Sequence, residues 1–89
     1  MNKDTIILPA RYGYKHTLEH IKDNLWAFQP DPNSTGTYRI IYDNENTNNL
    51  HALDPEGGPF MYVGAKIDGY TIKSISRDGI FELEQYEED

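Results

Sequence analysis

Three short runs in this sequence hold the residue types that do chemistry. His16-Thr17-Leu18-Glu19-His20 places two imidazoles four residues apart with a carboxylate between them. On a helix, residues i and i+4 share one face, so both rings reach one metal ion and the carboxylate reaches a water bound to it. Arg11-Tyr12-Gly13-Tyr14-Lys15 alternates cations with aromatic rings. Arg11 and Lys15 are suited to gripping a phosphate while Tyr12 or Tyr14 stacks on a flat ring, and Gly13 lets the backbone approach closely. The third run, Glu56-Gly57-Gly58-Pro59-Phe60, has the glycines of a phosphate-cradling loop.

Each run has a plainer reading. The H-x-x-E-H string resembles the zinc-binding motif of the inverzincin metallopeptidases over five residues. That resemblance implies zinc on His16 and His20, with Glu19 acting on its water. Such a site needs a third protein ligand from a second helix, which the sequence does not offer. The apolar stripe Leu18, Ile21, Leu25 also turns both histidines toward water, so a solvated polar helix face is the expectation and no metal or cofactor is implied. The glycine run leads into a strand instead of a helix N-terminus, has Asp54 and Glu56 beside it, and loses one N–H to Pro59. It reads as a tight corner, with a binding role only if it folds beside Arg11–Lys15. Asp31–Gly36 and Asp43–Asp54 alternate oxygen side chains as calcium loops do. Tyr42 stands where the first would need its closing glutamate, and Asn48 where the second would need its glycine, so both read as turns.

The elements that must position these residues follow from periodicity and punctuation. Residues 5–8 form a short strand that Pro9 ends. Residues 16–26 read as an amphipathic helix, and Pro30 and Pro32 open a loop. Residues 37–43 and 59–63 are β-branched and aromatic, hence strands. Tyr70–Ser76 and Ile80–Tyr86 flank Asp78-Gly79, the strongest short hairpin signal present. A two-residue turn pairs Lys73 with Glu84, whereas a three-residue loop pairs Ile75 with Phe81. The second register is preferred because it matches apolar with apolar. The run 63–83 is similar in pattern to small β modules of bacterial secretion and pilus assemblies, which implies a compact sheet of glycine turns and strands. The expected architecture is α+β over a single domain, 1–89: a small, mostly antiparallel sheet of four or five strands with one helix packed on it. A small bent β-barrel with one helix is the alternative.

Charge narrows the function. The 89 residues carry a net charge of −7 and no cysteine. Lys3, Arg11, Lys15 and Lys22 outnumber Asp4 and Glu19 in the first 22 residues, so the acidity lies beyond them. From Ile40 to Ala65 there is no Lys or Arg, and the tail from Glu82 adds five carboxylates and no base. Such a surface repels nucleic-acid phosphates and anionic membranes. No nucleophile elbow or distinguishable carboxylate pair points to an enzyme. With no signal core and no membrane span, a cytoplasmic location is expected. The first functional expectation is a non-enzymatic interaction module, an adaptor or inhibitor of the kind phages and mobile elements encode. Its acidic face, Asp43, Glu45, Asp54, Glu56, Glu82, Glu84, Glu87 and Glu88, engages a basic protein surface. The second is a binder of a nucleotide-like anion through Arg11, Tyr12, Tyr14 and Lys15, in a chain free to form a homo-oligomer.

Overall fold

The computed structural model describes residues 4–42 and 49–86. The described residues form one antiparallel sheet of nine strands: β1 (Thr5–Pro9), β2 (Lys15–Lys22), β3 (Leu25–Gln29), β4 (Tyr38–Tyr42), β5 (Asn49–Pro55), β6 (Met61–Tyr62), β7 (Lys66–Ile67), β8 (Tyr70–Ser76) and β9 (Ile80–Gln85). The strands run β1-β2-β3-β9-β8-β5-β4 across the sheet, with β6 added to β5 and β7 to β8. No α-helix occurs among the described residues; a single 3-10 turn spans Arg11–Gly13. The α+β expectation, and the barrel alternative with its helix, are therefore both corrected.

The error lies in residues 16–26. They form not a helix but most of a hairpin, β2 and β3, turned at Asp23-Asn24 with Asp23 at a left-handed φ of 48°. Along β2 the buried residues are His16 and Leu18, and along β3 they are Trp26 and Phe28. That is the two-residue period of a strand. Ile21, placed on the helix stripe by its spacing, is 49% exposed.

A second correction concerns residues 49–54, which the sequence places in the turn-forming run 43–54. They belong to β5, which pairs with β4 on one edge and with β6 and β8 on the other. The Asp78-Gly79 hairpin has the preferred register, Ile75 opposite Phe81. A bulge between Ile72 and Ser74 sets Lys73 out of the ladder, and its ammonium still lies 3.9 Å from Glu84. The ladder partner of Glu84 is Thr71, so the two-residue-turn register does not form, and the Lys73–Glu84 contact is a diagonal ion pair between exposed side chains.

The sheet curls so that its inner face encloses its own core. Ile6 and Leu8 of β1, Leu18, Trp26 and Phe28 of the first hairpin, Leu50 and Leu53 of β5, Met61, and Ile72, Ile75, Phe81 and Leu83 of the last hairpin form one buried cluster. The curl brings the end of β1 to the end of β5: the Arg11 N–H donates to the Gly57 carbonyl at 2.7 Å.

A candidate ligand groove at the glycine corner

That hydrogen bond answers the condition set by the sequence, since the glycine corner folds directly onto the Arg11–Lys15 run. Gly57 sits at φ +80°, and a Cβ there would lie 2.9 Å from Cδ2 of Tyr14 and 3.2 Å from the Arg11 carbonyl. Only glycine fits, on both conformational and contact grounds. Gly58 follows at φ +78°, and the Gly58–Pro59 peptide is cis.

Between the 3-10 turn, the loop leading into β4 and the corner lies an open groove of about 1150 Å³. Arg11 and Tyr12 line one wall, Tyr38 and Arg39 another, and Asp54 to Phe60 the floor. Tyr12 is 80% exposed and holds a left-handed φ of 63° without being glycine. Such backbone persists where its surroundings hold it. Here the ring packs edge-on against Tyr14 (centroids 6.2 Å), Tyr14 against His16, and His16 against Phe28 of the core.

Charge in the groove is mostly spoken for. The Arg39 guanidinium meets the Asp54 carboxylate at 2.9 Å across the β4–β5 ladder. Glu56 accepts the Thr35 N–H at 2.6 Å, and this backbone bond holds its carboxyl below the usual range. Among the described residues no carboxylate pairs with Arg11. Among the described residues it is the one groove cation without a carboxylate partner.

His16 is the rivet beneath. It is fully buried and has both ring nitrogens engaged: Nδ1 accepts the Asp31 N–H at 3.0 Å, and Nε2 lies 2.9 Å from the Glu56 carbonyl. Because Nδ1 accepts, the proton sits on Nε2, which donates to Glu56. One imidazole thus ties the loop at Asp31 to the corner at Glu56. Asp31 completes the knot by accepting the N–H groups of Asn33 and Lys15, both at 2.8 Å, and these bonds hold its carboxyl below the usual range.

The zinc geometry does not form. On a strand, residues four apart are separated by roughly 13 Å, too far to share an ion. His16 is also fully bonded, and the His20 Nε2 lies 2.9 Å from the Asp23 carbonyl.

The other site residues are dispersed. Of the aromatic-basic run, Arg11 and Tyr12 line the groove, Tyr14 supports the corner from below, and Lys15 is exposed at the start of β2 outside the groove. Of the acidic set, Asp54 and Glu56 lie in the groove. Glu82 and Glu84 are exposed on β9, where Ser74 donates to Glu82 at 3.2 Å. Asp43, Glu45, Glu87 and Glu88 lie outside the described residues. Sequence reasoning missed Tyr38, Arg39 and Phe60 as groove residues, and His16 as a structural bond. The alternation His16-x-Leu18 was the available signal for the last.

Fold and groove together define the class: a small, all-antiparallel β-domain with an open, aromatic-walled groove at one corner of its sheet. No protein-family model, curated protein or solved structure matches the chain. Among the described residues no helix is long and apolar enough to cross a membrane.

Proposed function

We propose that the protein is a non-enzymatic binding module whose groove takes a small, nucleotide-like anion. Arg11 meets the phosphate, and Tyr12 and Phe60 offer ring faces to the flat part of the ligand. The observation that carries this reading is the seating of the glycine corner on Arg11. It builds a groove whose other charges are already paired or hydrogen-bonded. The strained, exposed Tyr12 supports it, since backbone held in a sparse region clusters at ligand clamps. The net charge of −7 slows an anion's approach, so affinity rests on short-range contacts.

The test is an amide NMR titration with AMP and, separately, inorganic phosphate. AMP is expected to shift the amides of 10–13, 56–58 and 60, phosphate to shift fewer of them, and Arg11→Ala to abolish both while leaving the melting temperature unchanged. If millimolar AMP leaves those amides in place, the groove reading is wrong.

The second reading is the interaction module with a basic protein partner, favoured by the exposed Glu82 and Glu84 and the acidic balance of the chain. It requires binding that weakens steeply as salt rises. A binding constant indifferent to salt removes it.

A further inference from the structure

β4 is the last strand in the path across the sheet, so no described strand pairs with its second edge. All five of its residues, Tyr38-Arg39-Ile40-Ile41-Tyr42, are exposed, and four are large and apolar. Proteins blunt such edges with prolines, charges or covering loops, because unpaired strand groups recruit another strand. Here the only charge, Arg39, is taken up by Asp54 within the same chain.

Which groups face outward follows from one bond. The Glu56 N–H donates to the Thr37 carbonyl at 3.0 Å, which makes Thr37 and Glu56 a hydrogen-bonded pair. Antiparallel pairs alternate, so Tyr38–Pro55 and Ile40–Leu53 are the non-hydrogen-bonded kind. The N–H and C=O of Tyr38 and Ile40 therefore point away from β5 to the open edge. Leu53 in turn points its groups to β6, where it pairs with Met61. Ile40, Leu53 and Met61 form one row across three strands. The last two are core residues, and Ile40 is the end of the row, left 40% exposed.

We propose that this edge pairs with the same edge of a second copy of the chain, antiparallel and centred on Ile40. The strand reads nearly the same in both directions. A twofold axis through Ile40 sets Tyr38 against Tyr42 of the second copy, Ile40 against Ile40, and Arg39 against Ile41. This register joins the outward-pointing groups of Ile40 to their own copies and continues the apolar row across the interface, as an isologous contact requires. Charge agrees: from Pro32 to Tyr42 there is no carboxylate, so the net negative chains meet along their acid-free segment. Tyr42 of the second copy also arrives beside Tyr38 at the groove's rim. The pairing is independent of the ligand reading.

The test uses the full chain. Sedimentation over a range of concentrations is expected to show a monomer–dimer equilibrium that Ile40→Lys weakens by about tenfold or more. The chain has no native cysteine among its 89 residues, so Ile40→Cys supplies a check that does not depend on that variant folding. Opposed hydrogen-bonded residues stand about 5.5 Å apart at Cα, within disulfide reach. Mild oxidation should therefore link Ile40→Cys chains, and Ile7→Cys chains, altered on the opposite edge strand, should stay unlinked. A chain that is monomeric at every concentration, or equal linking at both positions, overturns the proposal and leaves β4 to a strand of another protein.

Discussion

At the residue scale, the corner depends on one missing side chain. Gly57 has a left-handed φ, and the space where a Cβ would go is filled by Tyr14 and the Arg11 carbonyl. Gly57→Ala incurs both a conformational and a packing cost, about 2–4 kcal/mol together. Gly58 shares the left-handed φ but meets only the Phe60 nitrogen, at 3.9 Å, so Gly58→Ala is expected to cost about 1–2 kcal/mol. Urea denaturation of both variants measures the difference. Equal losses mean that the Tyr14 contact contributes nothing. None of this closeness was legible in the sequence. The glycines announced a turn, but nothing local says that residue 57 returns to residue 11, because that meeting is made by the curl of the whole sheet.

At the scale of elements, the sequence was read well where turn chemistry is strong and badly where two periods compete. Asp78-Gly79 fixed the last hairpin, and the apolar match of Ile75 with Phe81 chose its register. In residues 16–26, Leu18, Ile21 and Leu25 satisfy a helical spacing, while His16, Leu18, Trp26 and Phe28 satisfy strand alternation on either side of Asp23-Asn24. Alternation wins because β2 and β3 pair edge to edge with β1 and β9 and turn that face into the common core, partners a local window cannot show. β5 was hidden for a related reason. Its Asn49, Asp54 and Pro55 are poor strand formers, and Pro55 is accommodated at the strand's end in a non-hydrogen-bonded pair with Tyr38 that needs no N–H from it. The two readings of residues 16–26 predict different mutational patterns. In the hairpin, Leu18 is fully buried and Ile21 half exposed. Leu18→Ala should cost about 2–5 kcal/mol and Ile21→Ala within about 0.5 kcal/mol. A helix buried along its stripe would lose comparable stability at both, so urea midpoints for the pair decide the matter.

At the scale of the whole molecule, two electrostatic effects of opposite sign act on stability as pH falls. The net charge of −7 at neutral pH opposes the compact state, and it vanishes near the isoelectric point of about 4.7. Acidification from neutrality toward that value removes self-repulsion, so the melting temperature should hold or rise. Added salt at pH 7 should raise it for the same reason. Asp31 and Glu56 act the other way. Both carboxyls are lowered in the fold from ordinary values of 3.8 and 4.5, in each case chiefly by a backbone N–H donated to the carboxylate. A carboxyl lowered on folding contributes stability that is complete above its unfolded value and is lost as pH falls through its folded value. Their contribution is therefore intact at pH 6 and declines as pH falls below those ordinary values toward the lowered ones of the fold, where protonation weakens the bonds from Lys15, Asn33 and Thr35 that hold the loop to β2 and to the corner. The melting temperature should then pass through a broad maximum near pH 5 and fall on the acid side. Asp31→Asn removes one lowered carboxyl, so that variant should melt lower at pH 6 and show a shallower acid decline. A melting temperature that falls steadily from pH 7 to 5 contradicts the repulsion argument, and an acid limb unchanged in Asp31→Asn removes Asp31 from the account.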